Sequence, residues 1–215
     1  MESQKHGFII EDYIKSNVFK VVKKYAYNSI HDIRNEDNRF DSTENISIKT
    51  LTGGVNPTVC FGSPLRIYNY PDNEKHTAIV ILLTQSGETK IIDRVIEISL
   101  DTKKLLFGDI TENDIREFET IIKQVPKNGK PQSNIRDIHV KKKELNTKSG
   151  YVKFNPKIDG KDQRRLQCSI PKFITFIEKN PEIVISNTKE AIVRGIRLPI
   201  SIESKRRTRR RKDIE

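Results

Sequence analysis

Asp41, Ser47 and Lys49 are residues whose types and spacing can do chemistry together. The run from Arg39 to Thr50 sets an acid just ahead of a short alternating stretch. Asn45, Ser47 and Lys49 share one face of that stretch, and Ile46 and Ile48 share the other. An acid and a lysine on a strand with an apolar back can hold a divalent ion and a phosphate oxygen together. The ion polarises the phosphoryl oxygen and lowers the pKa of an attacking water. The lysine orients that water and offsets developing charge. Glu11 supplies a second acid, bound directly or through water, so Asp41 and Glu11 are the expected metal ligands. Oxygen ligands, few protein groups and a phosphate substrate favour Mg2+.

These residues need elements to position them. Ile10, Ile14, Val18 and Val22 recur every four positions, with Tyr13, Val21 and Tyr25 alongside, which predicts an amphipathic helix over 7–25 with Glu11 at the border of its apolar face. Residues 26–38 read as a connection that contains a turn or a short strand. A strand over 45–51 follows, then a loop at 52–57 whose Gly53 and Gly54 lack the strand, helix and Lys-Ser/Thr pair of a phosphate loop. Residues 58–70 read as a strand or short helical piece around Pro64. The unbroken apolar run Ala78 to Leu83 predicts a central strand buried on both faces, with Lys90 to Leu100 as its antiparallel partner across a turn. Thr111-x-x-Asp114 starts a helix that carries Ile115, Phe118, Ile121, Ile122 and Val125 and is closed by Pro126. Residues 127–134 read as a linker. Strand-like runs follow around Tyr151, before Ile170 and over 182–186 and 191–202, with a short helix from Pro171 to Lys179.

A helix bearing Glu, then Asp, then a strand ending in x-x-Lys, then sheet strands and a helix resembles the PD-(D/E)XK superfamily, the restriction-endonuclease-like nucleases. That resemblance implies an α/β fold with a mixed central sheet flanked by helices. It assigns Asp41 to the motif aspartate, Lys49 to the motif lysine, Glu11 to the glutamate of the first helix and Ser47-Ile48-Lys49 to the (D/E)XK position. Gln85, at the end of a later strand, becomes a further polar member of the pocket. Ser47 departs from the usual Asp or Glu. Some family members recruit the missing carboxylate from elsewhere, and Glu44 and Glu97 are the candidates here. The implied activity is Mg2+-dependent, restriction-type cleavage of DNA, and the family's habit implies a homodimer.

Charge points to the same class of partner. The 215 residues carry a formal charge of +11, and each lysine or arginine set against a phosphate releases counterions. Seven basic side chains in residues 201–215, Arg206, Arg207, Arg209 and Arg210 among them, face three acids, so the tail holds +4 and the body keeps +7. The tail reads as a nucleic-acid clamp, a nuclear address or a solvated disordered end. In the body, Lys141, Lys142, Lys143, Arg164 and Arg165 are candidate phosphate contacts. Gln163 and Gln167 are candidates for base edges, and Tyr151 and Phe154 for stacking on an exposed base. DNA is the expected partner, with RNA as the alternative.

The layout expected is a nuclease-like core over 1–128, a basic nucleic-acid-binding subdomain or continuation of the core over 129–200, and a basic tail over 201–215. No apolar stretch reaches bilayer length and no signal-peptide core opens the chain, so a soluble, intracellular protein without a membrane partner is expected, nuclear in a eukaryotic host. Cys60 and Cys168 are too few for a disulfide framework or a zinc site and read as buried small hydrophobes. His31 and Asp32 invite a general-base reading, but adjacent polar residues on a loop are more often surface. Two other classes stand beside the nuclease: a DNA- or RNA-binding protein on the same scaffold without catalysis, and a basic packaging or interaction protein.

Overall fold

A computed structural model describes residues 5–23, 25, 29–126, 135–158, 163–199 and 201–203. In chain order the elements are α1 (Lys5–Tyr13), β1 (Glu44–Thr52), β2 (Val59–Gly62), α2 (Pro64–Tyr68), β3 (Lys75–Ser86), β4 (Thr89–Ser99), α3 (Lys103–Phe107), α4 (Glu112–Lys123), α5 (Ile135–Lys148), β5 (Lys153–Ile158), β6 (Arg164–Ile170), α6 (Phe173–Lys179), β7 (Val184–Thr188), β8 (Ile192–Val193), β9 (Ile196–Arg197) and β10 (Ser201–Glu203). Helix and strand are equal at 34% each and the strands form a mixed sheet flanked by helices, which makes the protein α/β.

The central sheet runs β1-β3-β4-β10, with β7 also paired to β4. Its middle strand is the apolar run. Because side chains alternate across a strand, Ala78, Val80 and Leu82 enter one hydrophobic core and Ile79, Ile81 and Leu83 enter a second on the opposite face. Burying an isoleucine such as Ile79 contributes roughly 1.5–3 kcal/mol, and both faces of β3 gain in this way. β1 lies parallel to β3, with Lys49 opposite Val80, and β4 lies antiparallel. A parallel pair needs a crossover, and β2 and α2 occupy it. β2 joins β6 and β5 in a separate three-stranded antiparallel sheet.

Ile10, Ile14 and Val18 form the buried stripe of the first helix. The predicted helix extends too far, however. Its last turns, Ile14–Phe19, widen into a π-helical stretch, and Lys20 turns left-handed at φ 62°. Val22, expected on the apolar face, is 95% exposed as a result. The segment after this helix returns along the outer edge of β1, where Ile33 and Ile46 exchange backbone hydrogen bonds of 3.1 and 2.8 Å.

α4 has the expected start. The Thr111 hydroxyl accepts from the Asp114 N–H while the Asp114 carboxylate accepts from the Thr111 N–H, a closed capping box. Its stripe of Ile115, Phe118 and Ile122 packs into the larger core with Ile138 and Leu145 of α5. The last third of the chain builds on this framework, since β7 and β10 extend the central sheet. Residues 127–134, read as a linker, and the tail beyond 203, with Arg206, Arg207, Arg209 and Arg210, lie outside the described residues. Cys168 is buried, but Cys60 is exposed on β2, contrary to the expectation for it. Among the described residues, no helix is long and apolar enough to cross a membrane.

Candidate functional site

Along its outer edge β1 gathers four charged side chains. Asp32 follows from the pairing of Ile33 with Ile46: one residue before that bridge, its Oδ2 accepts a 2.6 Å hydrogen bond from the Ile48 N–H. That N–H faces outward from an edge strand and needs an acceptor. Lys49 Nζ lies 3.5 Å from the same Asp32 oxygen and donates to the Ile48 carbonyl at 3.0 Å. From the helix, Glu11 accepts from Lys15 Nζ one turn later at 2.5 Å. Burial pushes the Glu11 carboxyl above its ordinary pKa, and the negative charge of Asp32 adds to the rise. Lys15 and Lys49 pull the other way. Two acids and two lysines thus share one half-buried cluster, with 20–27% of each side chain exposed.

The polar face of β1 continues into an aromatic layer. The Tyr70 ring stacks on His76 at 3.9 Å and 10°. His31 lies 5.1 Å from Tyr70 and 5.2 Å from His76. Burial lowers the His31 pKa to about 4, with a smaller contribution from His76, and it lowers that of His76 as well. Both imidazoles are therefore neutral near pH 7. The His76 ring is buried, and its Nδ1 has no hydrogen-bond partner among the described residues.

Only part of the predicted site is brought together. Glu11 lies within electrostatic reach of Lys49 and Asp32 while its own ion-pair partner is Lys15, and Ser47 lies two residues before Lys49 on the same face. Asp41 does not join them. Its carboxylate accepts from Thr43 N and Oγ1 at 2.9 and 2.7 Å and pairs with Lys75 at 2.7 Å. Those bonds, led by Lys75, hold its pKa below the usual carboxylate range. It closes a turn ahead of Glu44, and from Glu44 to Lys49 an extended strand covers about 16 Å. The acid beside Lys49 is Asp32, whereas Asp41, expected there, pairs with Lys75.

Gln85 is also displaced. Its amide donates to Gly87 O at 2.8 Å and Thr89 O at 3.0 Å, bracing the β3–β4 turn. Neither proposed substitute for the missing motif acid faces Ser47. By strand alternation Glu44 sides with Ile46 and Ile48, and Glu97 lies opposite Ile79, so both face the second core. There they hold Arg194, at 2.7 Å from Glu44 Oε1 and 2.7 Å from Glu97 Oε2. The second approach is a charge contact that is not aligned as a hydrogen bond.

The basic candidates divide. Lys141 pairs with Glu117 at 2.9 Å and Glu144 at 3.6 Å, which ties α5 to α4 and takes it out of the phosphate contacts. Lys142 and Lys143 continue along α5, the latter exposed. Arg164 Nε donates to Val125 O at 2.9 Å and its Nη2 to Pro126 O, so it braces the end of α4. Arg165 and Gln167 line a cleft, and Gln163 precedes β6 in an exposed position. Phe154 is fully buried in the larger core and Tyr151 packs on Phe176 at 4.7 Å, so neither is placed to stack on a base.

From the sequence, Asp32 is weighed only as a general base beside His31 and reads as polar surface. Its position in a polar connection gives no periodic signal, and only the pairing of its neighbour Ile33 with β1 brings it to Lys49. No family model matches the chain, and no curated protein matches it. Among the described residues, no three of His, Cys, Asp and Glu are grouped as a complete metal cage. Two acids still suit Mg2+, which binds through one or two carboxylates and completes its shell with water and substrate phosphate.

Proposed function

We propose that the protein is a divalent-metal-dependent nuclease that hydrolyses DNA phosphodiesters at the outer edge of β1. Glu11 and Asp32 would hold Mg2+, and Lys49 would orient the attacking water and offset charge on the phosphate. The observation that supports this reading is the Asp32–Lys49 pair at 3.5 Å on the outer edge of β1, with Glu11 of α1 within electrostatic reach of both. When bound, the ion would supply polarisation of the phosphoryl oxygen and a more acidic water. The protein's own part is to hold Asp32 and Lys49 at the edge of β1, fixed by the Ile48 N–H and the Ile33–Ile46 bridge, and to set Glu11 of α1 alongside. The constellation retains the features that resemble the PD-(D/E)XK superfamily, with Asp32 in the role first assigned to Asp41 and Ser47 in place of the second acid.

The test is incubation with linear and supercoiled DNA, and separately with RNA, in Mg2+, in Mn2+ and in chelator. Metal-dependent DNA cleavage that Asp32→Asn and Lys49→Ala each reduce ~100-fold or more is the expected result. A second reading, a nucleic-acid-binding protein without catalysis, draws on the fact that each acid already has a lysine partner. Salt-sensitive binding without cleavage in either metal would select it.

A further inference from the structure

Away from the β1 edge, the small sheet and two helices enclose a cleft of about 330 Å³. Arg66 reaches it from α2, Lys123 from the end of α4, and Arg164 and Arg165 from β6, while Ser63 contributes a hydroxyl. Among the described residues, Glu119 is the single acid of the lining, and Lys123 lies 3.6 Å from it. No carboxylate lies in ion-pair range of Arg66 or Arg165 among the described residues, and both are exposed. Arg164 is held in place by backbone carbonyls, donating to Val125 O and Gln163 O at 2.9 and 2.8 Å. Four cations against one acid leave the wall strongly positive, and a concave wall of low dielectric focuses that potential into the cleft.

We propose that this cleft is an anchor for a backbone phosphate of a nucleic acid, separate from the Glu11–Asp32–Lys49 cluster. Guanidinium groups suit the role because their fork of donors matches two phosphate oxygens at once. The volume lies at the small end for a ligand pocket, which admits a phosphate with its sugar and excludes a duplex. The wide charge excess of the chain draws a polyanion to this face, and the cleft then fixes its register without reading sequence.

The anchor does not depend on the β1 edge being catalytic, since the two share no residue. Binding of a fluorescent single-stranded DNA oligonucleotide is measured in chelator at several salt concentrations for the full chain, for Arg66→Ala/Arg165→Ala and for Lys104→Ala, an exposed cation of α3 outside the cleft. The expected result is an affinity loss of about tenfold in the double variant and a salt dependence shallower by roughly 1.5 in log–log slope. The Lys104 variant keeps the parent slope, and millimolar inorganic phosphate fails to displace the oligonucleotide. Because both arginines are exposed, thermal unfolding of the double variant should match the parent and exclude misfolding as the cause. A parent-like slope in the double variant overturns the proposal. Displacement by inorganic phosphate from the parent but not from the double variant also overturns it, since the cleft would then serve a free phosphate. A parent protein that cuts no DNA but shows the expected slopes leaves the anchor standing and removes only the nuclease reading.

Discussion

Asp32 Oδ2 lies 3.5 Å from Lys49 Nζ while it accepts the 2.6 Å hydrogen bond of the Ile48 N–H, so one carboxylate oxygen both completes the edge of β1 and sets the charge beside its lysine. Asp41, nearer to Lys49 in sequence, pairs with Lys75 instead. Asp32→Asn and Lys49→Ala should each reduce metal-dependent cleavage ~100-fold or more, whereas Asp41→Asn should keep it within a few-fold of the parent. Steady-state cleavage assays on folded variants check this, and equal losses for Asp32 and Asp41 would remove Asp32 from the site.

On the proposed site, Glu11 would set the pH dependence of metal binding. Burial and Asp32 raise its pKa, so it takes up a proton above the ordinary carboxylate range and loses its value as a ligand there. Affinity for Mg2+ should fall on acidification before free carboxylates titrate. Glu11→Gln should bind the ion at least tenfold more weakly and lose that pH step. Without divalent ions the neutral variant should unfold at the same temperature as the parent or higher, because it no longer sets a second charge near Asp32. Thermal unfolding with and without saturating Mg2+ reads both effects, and an equal gain from Mg2+ in parent and variant would count against the assignment.

The triad of Glu44, Arg194 and Glu97 is a stability element. Arg194 occupies the β8–β9 turn at φ 50°, followed by Gly195 at φ 78°, a conformation unfavourable for a side chain other than glycine. Its guanidinium is compensated by two buried carboxylates, and Glu44 also accepts from the Thr77 hydroxyl at 2.5 Å. Arg194→Ala leaves both acids without their cation and should cost about 3–5 kcal/mol, measured by chemical denaturation. Because these groups face away from Lys49, the remaining folded fraction should keep its cleavage rate per molecule.

His31 makes the fold sensitive to acid. Burial holds its pKa to about 4, against 6.5 for a free imidazole. Between those values the unfolded chain binds the proton and the folded chain does not, so stability is complete above about pH 6.5 and declines as pH falls toward 4. With solvent screening of a partly exposed group, the loss is on the order of 1–2 kcal/mol. Denaturation midpoints across this range should show that decline, and His31→Phe, which keeps an aromatic ring beside Tyr70 and His76, should flatten it. An unchanged slope would place the acid sensitivity elsewhere, with His76 the next residue to test.

Periodicity by itself determined the main frame. Ala78 to Leu83 could only be a strand covered on both faces, because six apolar side chains alternating across a sheet need two cores. Thr111 and Asp114 marked the start of α4, because a capping box is a local bond pattern. Glu11, Ser47 and Lys49 were legible as polar residues on the rims of apolar faces. What only the tertiary structure decided was their acidic partner. Strand alternation shows which face a residue occupies but not what returns to the strand's edge. The choice of Asp32 over Asp41 rests on a single antiparallel bridge between Ile33 and Ile46, and the choice of Arg194 for Glu44 on a contact across 150 residues. Such pairings follow from how the chain closes on itself, and no local spacing encodes them.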